Sequence, residues 1–318
     1  MMKTAYLFPG QGSQSVGMGA DIAEAFPVCA AVFDKANDVL GYDLKRLCFE
    51  GPEPQLNSTT VSQPAIFVTS AAILEVLRSD ASTAALVPDV TAGLSLGEYT
   101  ALYAAGSMTF EETLRLVQKR GEAMQAAADA TTGGMVSILG LDAEKAHAVC
   151  EGAAEGQLLK CANFNCPGQI VISGHLEACR RAVDIAERHG AIKAISLKVA
   201  GAFHTEMMSP AAEALGSALA VSEIRICGDV RTIANVDATY YADAEQVRRG
   251  LVRQLVEPIL WQSCMEKLLD EGVERWYEIG PGRVLTGLMK RINRKAKIVN
   301  VSDLGGLQEL RSQRAGGK

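Results

Sequence analysis

The sequence has few of the features that mark metal-binding, secreted or nucleic-acid-binding proteins. Its eight cysteines include no C-x-x-C pair and no paired Cys/His ligand spacing, which argues against a zinc site and against a disulfide framework. No block of five like charges occurs, and 31 Lys+Arg against 37 Asp+Glu leave a net charge of −6. This balance gives little support for a nucleic-acid partner. We expect a protein of a reducing compartment.

Long apolar runs are also scarce. The N-terminal apolar run, residues 5–8, is too short for the apolar region of a signal peptide. The longest apolar stretch, 64–77, is interrupted by Thr69, Ser70 and Glu75 and falls short of a membrane span. We therefore expect a soluble, cytoplasmic protein with no membrane partner. Its 318 residues, 48 % apolar, suffice for one large domain that carries a smaller one.

Short β-type runs alternate with longer helical patterns, which predicts an α/β fold with a parallel sheet. Three strand-to-helix steps pass through glycine-rich turns, and their predicted strands are residues 4–8, 89–92 and 275–279. The predicted helices of this part cover residues 21–40, 65–78, from 98 onward, 109–128 and 284–292. We assign residues 1–130 and 200–310 to this main catalytic domain.

A different pattern occupies residues 131–199. Predicted strands at 135–139, 158–162, 169–173 and 194–199 and helices at 143–153 and 176–189 follow the order β-α-β-β-α-β. This order is the split βαβ pattern, so we predict an inserted ferredoxin-like subdomain. The polar residues 311–318 are expected to form a disordered tail.

The pentapeptide Gly93-Leu94-Ser95-Leu96-Gly97 lies between a predicted strand and a predicted helix. A nucleophile elbow needs small residues two positions either side of its serine, because larger side chains would collide in so tight a turn. Ser95 is therefore a candidate nucleophile, and the backbone N–H of Leu96 is placed to favour developing negative charge. The alternative is an ordinary glycine-rich turn.

A serine nucleophile needs a base, and the chain has only four histidines. His147 and His189 fall on solvated helix faces of the inserted unit, and His175 lies in a turn there. His204 comes just after that unit rejoins the main body, so it is the preferred base, although an isolated loop histidine can simply bond backbone groups. No acid presents itself as a third member. We predict a dyad whose imidazole is oriented by an amide or a carbonyl.

Arg120 occupies an unexpected position. A capping box, Thr109 to Glu112, opens a helix whose apolar face includes Leu116, Val117, Met124 and Ala127. Arg120 lies in the centre of that face, and its guanidinium does not lose its charge. It must therefore snorkel to solvent, form a buried ion pair with Asp or Glu, or bind an anionic substrate group such as a carboxylate.

The segment 8–14, Phe-Pro-Gly-Gln-Gly-Ser-Gln, follows the first predicted strand. It is not a phosphate-binding loop, because no Lys-Ser/Thr follows the glycines and the third glycine of G-x-G-x-x-G is missing. What remains is a pinned turn that carries Gln11. This residue can offer donors to an active site or belong to a purely structural turn.

Six motifs in order resemble the malonyl-CoA:acyl-carrier-protein transacylase family, over residues 8–292. They are Pro9-Gly10-Gln11-Gly12-Ser13-Gln14, Gly93-Leu94-Ser95-Leu96-Gly97-Glu98, Arg120-Gly121, Gly201-Ala202-Phe203-His204, Arg253-Gln254-Leu255 and Glu278-Ile279-Gly280-Pro281-Gly282. The resemblance implies a hydrolase-like main domain, an inserted ferredoxin-like subdomain and an active site in the cleft between them.

The resemblance also implies roles for single residues. It makes Ser95 the nucleophile, His204 the base and Arg120 the clamp for the substrate carboxylate. The oxyanion hole then comes from Gln11 and the Leu96 amide. Three further residues are implied near the site, namely Gln254, Phe203 and Met124.

The family implies ping-pong transfer of a malonyl group from malonyl-CoA to the phosphopantetheine thiol of acyl carrier protein, in fatty acid synthesis and without a metal or redox cofactor. Leu94 stands where the family usually has His, so any hydrogen bond from that His is absent here. Phe203 resembles the malonyl-selecting version of its motif, which favours malonyl over methylmalonyl.

An acidic carrier protein needs a basic docking area on a chain of net charge −6. The candidates are Lys290, Arg291, Arg294, Lys295 and Lys297, and the alternative is an ordinary solvated helix end. Three other functions stay open at this point: a polyketide acyltransferase acting in trans, a serine esterase or thioesterase that uses water, and a silent scaffold that docks carrier proteins.

Overall fold

The computed structural model describes residues 2–226 and 228–315, and side chains up to residue 312. Its strands are β1 (Lys3–Phe8), β2 (Val90–Gly93), β3 (Gly133–Leu139), β4 (Leu159–Cys166), β5 (Gln169–His175), β6 (Lys193–Ser196), β7 (Arg231–Thr232), β8 (Val273–Ile279) and β9 (Ile298–Val301). Its helices are α1 (Ala20–Ala25), α2 (Pro27–Leu40), α3 (Leu44–Glu50), α4 (Glu53–Leu56), α5 (Thr59–Ser79), α6 (Gly97–Ala104), α7 (Phe110–Asp129), α8 (Ala143–Ala154), α9 (Leu176–Ala186), α10 (Ser209–Ala220), α11 (Ala244–Val256), α12 (Trp261–Asp270), α13 (Val284–Ile292) and α14 (Leu304–Ala315).

The larger sheet has five strands in the order β7-β2-β1-β8-β9, and every neighbouring pair is parallel. The predicted α/β fold with a parallel sheet is therefore confirmed. In the central strand β1, Phe8 is in register with Gly93 of β2, and Leu7 is in register with Glu278 of β8. Because the strands are parallel, the three predicted glycine-rich turns all leave the same edge of the sheet.

The smaller sheet has four antiparallel strands in the order β4-β5-β3-β6. Its elements follow the predicted order β-α-β-β-α-β, with a short 3-10 turn, Glu187–His189, between α9 and β6. Side chains from its strands and from α8 and α9 form a separate apolar core that includes Val136, Val149 and Ile172.

The smaller sheet is also joined to the main body. Met135, Ala162 and Val171 belong to the large core cluster rather than to the small one. In addition, the Phe164 N–H donates to the Ile259 carbonyl, and the Ile259 N–H donates to the Ala162 carbonyl. These contacts hold β4 against the segment that precedes α12.

Helix α5 is a long core helix of the main body, and 16 of its 21 residues are buried. It begins at Thr59, six residues before the predicted start, and contains Pro64. By length and composition, α5 alone among the helices of the described chain resembles a membrane span, whereas the run 64–77 was expected to fall short. Since 83 % of the relevant window is buried inside the protein, we interpret α5 as a core helix.

Two predicted boundaries are wrong. The predicted helix 21–40 is interrupted at Phe26, whose backbone is extended, and α2 restarts with Pro27 at a position where proline is well tolerated. The predicted disordered tail is helical up to Ala315, since Leu307 and Leu310 bury their side chains and Arg311 forms an ion pair with Asp80. The remainder of that predicted tail, 316–318, lies outside the described residues.

Candidate active site

Ser95 stands on the predicted sharp turn between β2 and α6, with a left-handed backbone at φ 51°. A Cβ atom on Gly93 would lie 1.9 Å from the Gly97 carbonyl carbon and oxygen. A Cβ atom on Gly97 would lie 2.1 Å from the Phe8 carbonyl oxygen. The turn therefore requires glycine at both positions, which confirms the steric argument made from the sequence.

The His204 side chain lies beside this serine. Its Nε2 is 3.0 Å from Ser95 Oγ, and its Nδ1 is 2.6 Å from the backbone carbonyl oxygen of Gln254. No carboxylate bonds to His204 anywhere in the described chain. The prediction that a carbonyl or amide, rather than an acid, orients this imidazole is confirmed. His204 itself has φ 60°, a second left-handed residue at the site.

The protonation state of His204 suits a base. Burial, together with the positive charge of Arg120, lowers the pKa of His204 to about 3, although the bond to the Gln254 carbonyl acts in the opposite direction. The imidazole is therefore neutral at pH 7. Since a carbonyl only accepts, Nδ1 carries the proton and the lone pair of Nε2 faces the Ser95 hydroxyl.

Arg120 is 1 % exposed and reaches the same serine from helix α7, which begins after the predicted Thr109 cap. Its Nη2 donates to Ser95 Oγ at 3.0 Å and to Gln254 Oε1 at 2.9 Å. Its Nη1 donates to Gln63 Oε1 at 2.7 Å. Among the described residues no carboxylate lies within ion-pair distance, so the alternative of a direct buried ion pair is wrong. The Nε group is buried without a partner.

Asn235 and Glu98 also hold the site, and the sequence did not reveal them. Asn235 clamps the elbow, since its Oδ1 accepts from the Ser95 N–H at 2.7 Å and its Nδ2 donates to the Gly93 carbonyl at 2.8 Å. Glu98 is buried beneath it and accepts from Gln254 Nε2 at 2.6 Å. No local pattern could have shown these pairs, because their partners are more than a hundred positions apart.

A signal for Gln254 was present in the sequence. The buried positions of α11 repeat at helical spacing, as Val247, Gly250, Leu251, Gln254 and Leu255. A fully buried amide in such an apolar stripe needs partners, and it finds three of them in Arg120, Ser95 and Glu98. Gln63 had no comparable signal, because α5 is buried on nearly all sides.

An open cleft of about 580 Å³ passes over Ser95 and His204. The predicted residues Gln11, Phe203 and Met124 line it, as does Leu94. Arg120 and Gln254 do not line the cleft but lie beneath its floor, where they contact Ser95 and His204. The smaller sheet supplies the opposite wall, whose polar lining is Ser137, Asn163, Asn165 and Gln169.

The backbone N–H groups of Gln11 and Leu96 are among those at the site that lack an acceptor in the described part of the chain. The loop of Gln11 packs directly on the elbow, since a Cβ atom on Gly10 would lie 2.3 Å from the Leu94 carbonyl oxygen. The opposite wall carries an orphan acceptor, because Asn165 Oδ1 is buried without a partner. Free backbone donors are therefore available to a ligand, and the Asn165 amide lines the opposite wall.

The predicted basic docking residues lie in and after α13, whose Val284 and Leu288 line the cleft. Arg291 donates to Gln169 Oε1 at 3.0 Å and to the carbonyls of Pro167 and Gly168 at 3.2 Å, so it ties α13 to the turn between β4 and β5. The other candidates, Lys290, Arg294, Lys295 and Lys297, are exposed. No group of three His, Cys, Asp or Glu among the described residues is arranged to hold a metal ion.

The chain is similar to several known proteins. The acyl transferase domain family matches residues 5–309. The chain is 44 % identical to the malonyl CoA-acyl carrier protein transacylase of Bacillus subtilis, over 95 % of this chain and 94 % of that protein. It is also 44 % identical to the Escherichia coli K12 protein of the same name, over 92 % and 93 %.

A similar solved structure is a malonyl-transacylase in complex with a holo type II polyketide synthase acyl-carrier protein. It is 43 % identical, has a TM-score of 0.93, and the match covers 98 % of this chain and 99 % of that one.

Proposed function

The chain belongs to the acyl transferase domain family, and on this premise we propose that it transfers a malonyl group from malonyl-CoA to the phosphopantetheine thiol of acyl carrier protein. The names of its relatives specify this donor and this acceptor. The proposal rests on the two side chains that contact Ser95 Oγ. His204 Nε2 and Arg120 Nη2 each lie 3.0 Å from Ser95 Oγ, so a base and a carboxylate-binding cation meet at one nucleophile.

In the first step, Ser95 Oγ attacks the thioester carbon and His204 Nε2 takes the hydroxyl proton. The tetrahedral oxyanion is stabilised by the free N–H groups of Leu96 and Gln11. Collapse of the intermediate breaks the carbon–sulfur bond, and the imidazolium returns the proton to the CoA sulfur. A malonyl-serine ester remains on the protein.

In the second step, the phosphopantetheine thiol of acyl carrier protein enters the same cleft. His204 takes the thiol proton while the sulfur attacks the ester carbon. The new carbon–sulfur bond forms, the carbon–Oγ bond breaks, and the proton returns to Ser95. Proton transfer and hydrogen bonding suffice for both steps, so we propose no resident cofactor.

Arg120 selects the acyl group in this scheme. Its guanidinium is fixed by Gln63 and Gln254, and its Nη2 reaches Ser95 Oγ, so the positive charge lies beside the acyl site for the malonyl carboxylate. A neutral acetyl group would leave the buried charge without an anion, and sites of this kind discriminate strongly against the analogue that lacks the polar group. Phe203 on the cleft wall favours malonyl over branched acyl groups.

The finer assignments belong to the same proposal. We assign residues 1–130 and 200–310 to a hydrolase-like main domain and 131–199 to a ferredoxin-like subdomain, in accordance with the strand order β4-β5-β3-β6. We place the protein in the cytoplasm, in fatty acid synthesis, with an acidic carrier protein docking at the cleft mouth near α13.

Intact-mass measurement after mixing with malonyl-CoA, without carrier protein, tests the proposal. We expect the protein to gain one malonyl group, stably, and to lose it when holo acyl carrier protein is added. Ser95→Ala should gain none. Continuous release of free malonate would mean an esterase or thioesterase, and carrier-protein binding without any acyl-enzyme would mean a scaffold; either result contradicts the transfer.

A further inference from the structure

Glu98 is a buried carboxylate that the proposed chemistry does not use. It lies in the first turn of α6, is 0 % exposed, and has no Lys or Arg within ion-pair distance among the described residues. Three donors satisfy it: the Tyr241 hydroxyl at Oε1, and Gln254 Nε2 at 2.6 Å and the Asn235 N–H at 3.3 Å, both at Oε2. An unpaired buried carboxylate is costly, so its retention needs a reason.

The two residues bonded to Oε2 are those that hold the reacting groups. Gln254 accepts from Arg120 through Oε1, and its backbone carbonyl accepts from His204 Nδ1. Asn235 accepts from the Ser95 N–H. One carboxylate oxygen of Glu98 therefore bonds directly to both residues, Gln254 and Asn235, that position the nucleophile, the base and the arginine.

The carboxylate helps to fix the side chain of Gln254 in a single orientation. A deprotonated carboxylate only accepts, so, together with the Ser95 carbonyl at 2.9 Å, it requires the side-chain NH₂ of Gln254 on its own side and Oε1 towards Arg120. A side chain at position 98 that can also donate a hydrogen bond would pair equally well with the amide of Gln254 turned by 180°, with its oxygen towards position 98. The flipped amide would point two N–H donors at the guanidinium and remove one of its acceptors, Gln254 Oε1.

We propose that deprotonated Glu98 is a positioning residue, which orders Gln254 so that Arg120 and His204 are both aligned on Ser95 for acylation. The inference rests on the proposed malonyl transfer. It predicts that acylation requires the carboxylate of Glu98 in its ionised form, not merely a side chain of the same volume.

The pKa of Glu98 differs from that of the base, His204, so the two ionisations can be told apart. Burial raises the pKa of Glu98 to about 7, against the lowering effects of Tyr241, Gln254, Asn235 and Arg120. The other titratable groups near it are Tyr99 on α6 and Cys264 on α12. Burial and Arg120 lower the pKa of His204 to about 3, so an ionisation near neutrality in the acylation rate is assigned to Glu98.

The experiment is single-turnover acylation by malonyl-CoA across the neutral pH range, followed by intact mass. The wild-type rate should rise with pH through an ionisation near 7. Glu98→Gln should lose that rise and react about 10- to 100-fold more slowly at the alkaline plateau, as for the loss of a hydrogen bond to a charged group. Glu98→Asp retains a carboxylate and should retain a pH-dependent rise.

Tyr241→Phe is the second variant, and it decides the matter if Glu98→Gln fails to fold. It removes a donor that stabilises ionised Glu98, so the ionisation should move to higher pH while the alkaline plateau is largely kept. An unchanged midpoint in Tyr241→Phe, or an unchanged pH rise in a folded Glu98→Gln, overturns the inference. If wild-type protein forms no malonyl-enzyme at all, the proposed function fails instead.

Discussion

The two walls of the cleft differ in how completely their polar side chains are bonded before any ligand arrives. On the main-body wall, Ser95, His204 and Gln254 bond to one another and to Arg120, while the backbone N–H groups of Gln11 and Leu96 stay free for an oxyanion. On the smaller-sheet wall, Asn165 Oδ1 is buried and has no partner. The first wall is ordered for chemistry, and the second retains bonding capacity for the ligand.

The difference has a structural basis. The reacting groups come from the edge of a parallel sheet and from helices packed around it, where the backbone is held by close glycine contacts at Gly93 and Gly97. The opposite wall is the face of an antiparallel sheet, attached to the main body through the Ile259 bridge and Arg291. Preorganisation on the first wall lowers the cost of reaching the transition state. Binding on the second mainly affects affinity.

The largest expected effect is on the ordered wall. His204→Ala should slow acylation by malonyl-CoA about 10²- to 10⁴-fold, because the Ser95 proton loses its acceptor. Intact-mass kinetics measure the rate, and a thermal melt checks the fold. His147→Ala, in the smaller unit, is the matched control and should react like wild type. Equal rates for both variants would remove His204 from the mechanism.

The next effect tests what Arg120 recognises. Arg120→Ala should lower kcat/KM for malonyl-CoA. The expected loss of transition-state stabilisation is about 2–5 kcal/mol, as for the loss of one partner of a buried charge pair. Acetyl-CoA, which has no carboxylate, should lose far less. Arg120→Lys keeps the charge without the planar fork and should fall between the two. If both acyl-CoAs lose activity by the same factor, Arg120 is structural.

Features of the site that depend on residues close together in the chain could be predicted from the sequence. The elbow at Ser95 was predictable because its steric requirement is local, with both glycines within two positions of the serine. His204 was found by elimination among four histidines. The two boundary errors also have local causes. Pro27 begins a new helix after Phe26, and the buried Leu307 and Leu310 hold the last helix on the main body although the residues that follow are polar.

The network beneath the elbow was not predictable in this way. Glu98 reads in the sequence as an ordinary acidic residue in the first turn of a helix, where it would complement the dipole. Only the packing of α11 and of the segment around Asn235 against α6 makes it a buried acceptor. Such contacts depend on tertiary placement rather than on spacing, so no pattern in the sequence marks them.

A smaller effect is expected on the open wall. Asn165→Ala removes an amide that lines the cleft, so KM for both malonyl-CoA and acyl carrier protein should rise about 2- to 10-fold, the value of one hydrogen bond, with kcat unchanged. Ser173→Ala is the control, because its hydroxyl is also buried without a partner but does not line the cleft. A fall in kcat for Asn165→Ala would contradict the division between the two walls.

The smallest effect concerns the basic residues near α13. Arg291 is bonded to the turn between β4 and β5, so it serves the attachment of the smaller sheet, whereas Lys290 and Lys297 are exposed. Lys290→Ala with Lys297→Ala should raise KM for acyl carrier protein about 1.5- to 5-fold, since exposed ion pairs are weak, and the difference should shrink in high salt. Acylation by malonyl-CoA should not change. An equal loss with malonyl-CoA would mean that these lysines contact the CoA phosphates, and no loss with either substrate would mean an ordinary solvated helix end.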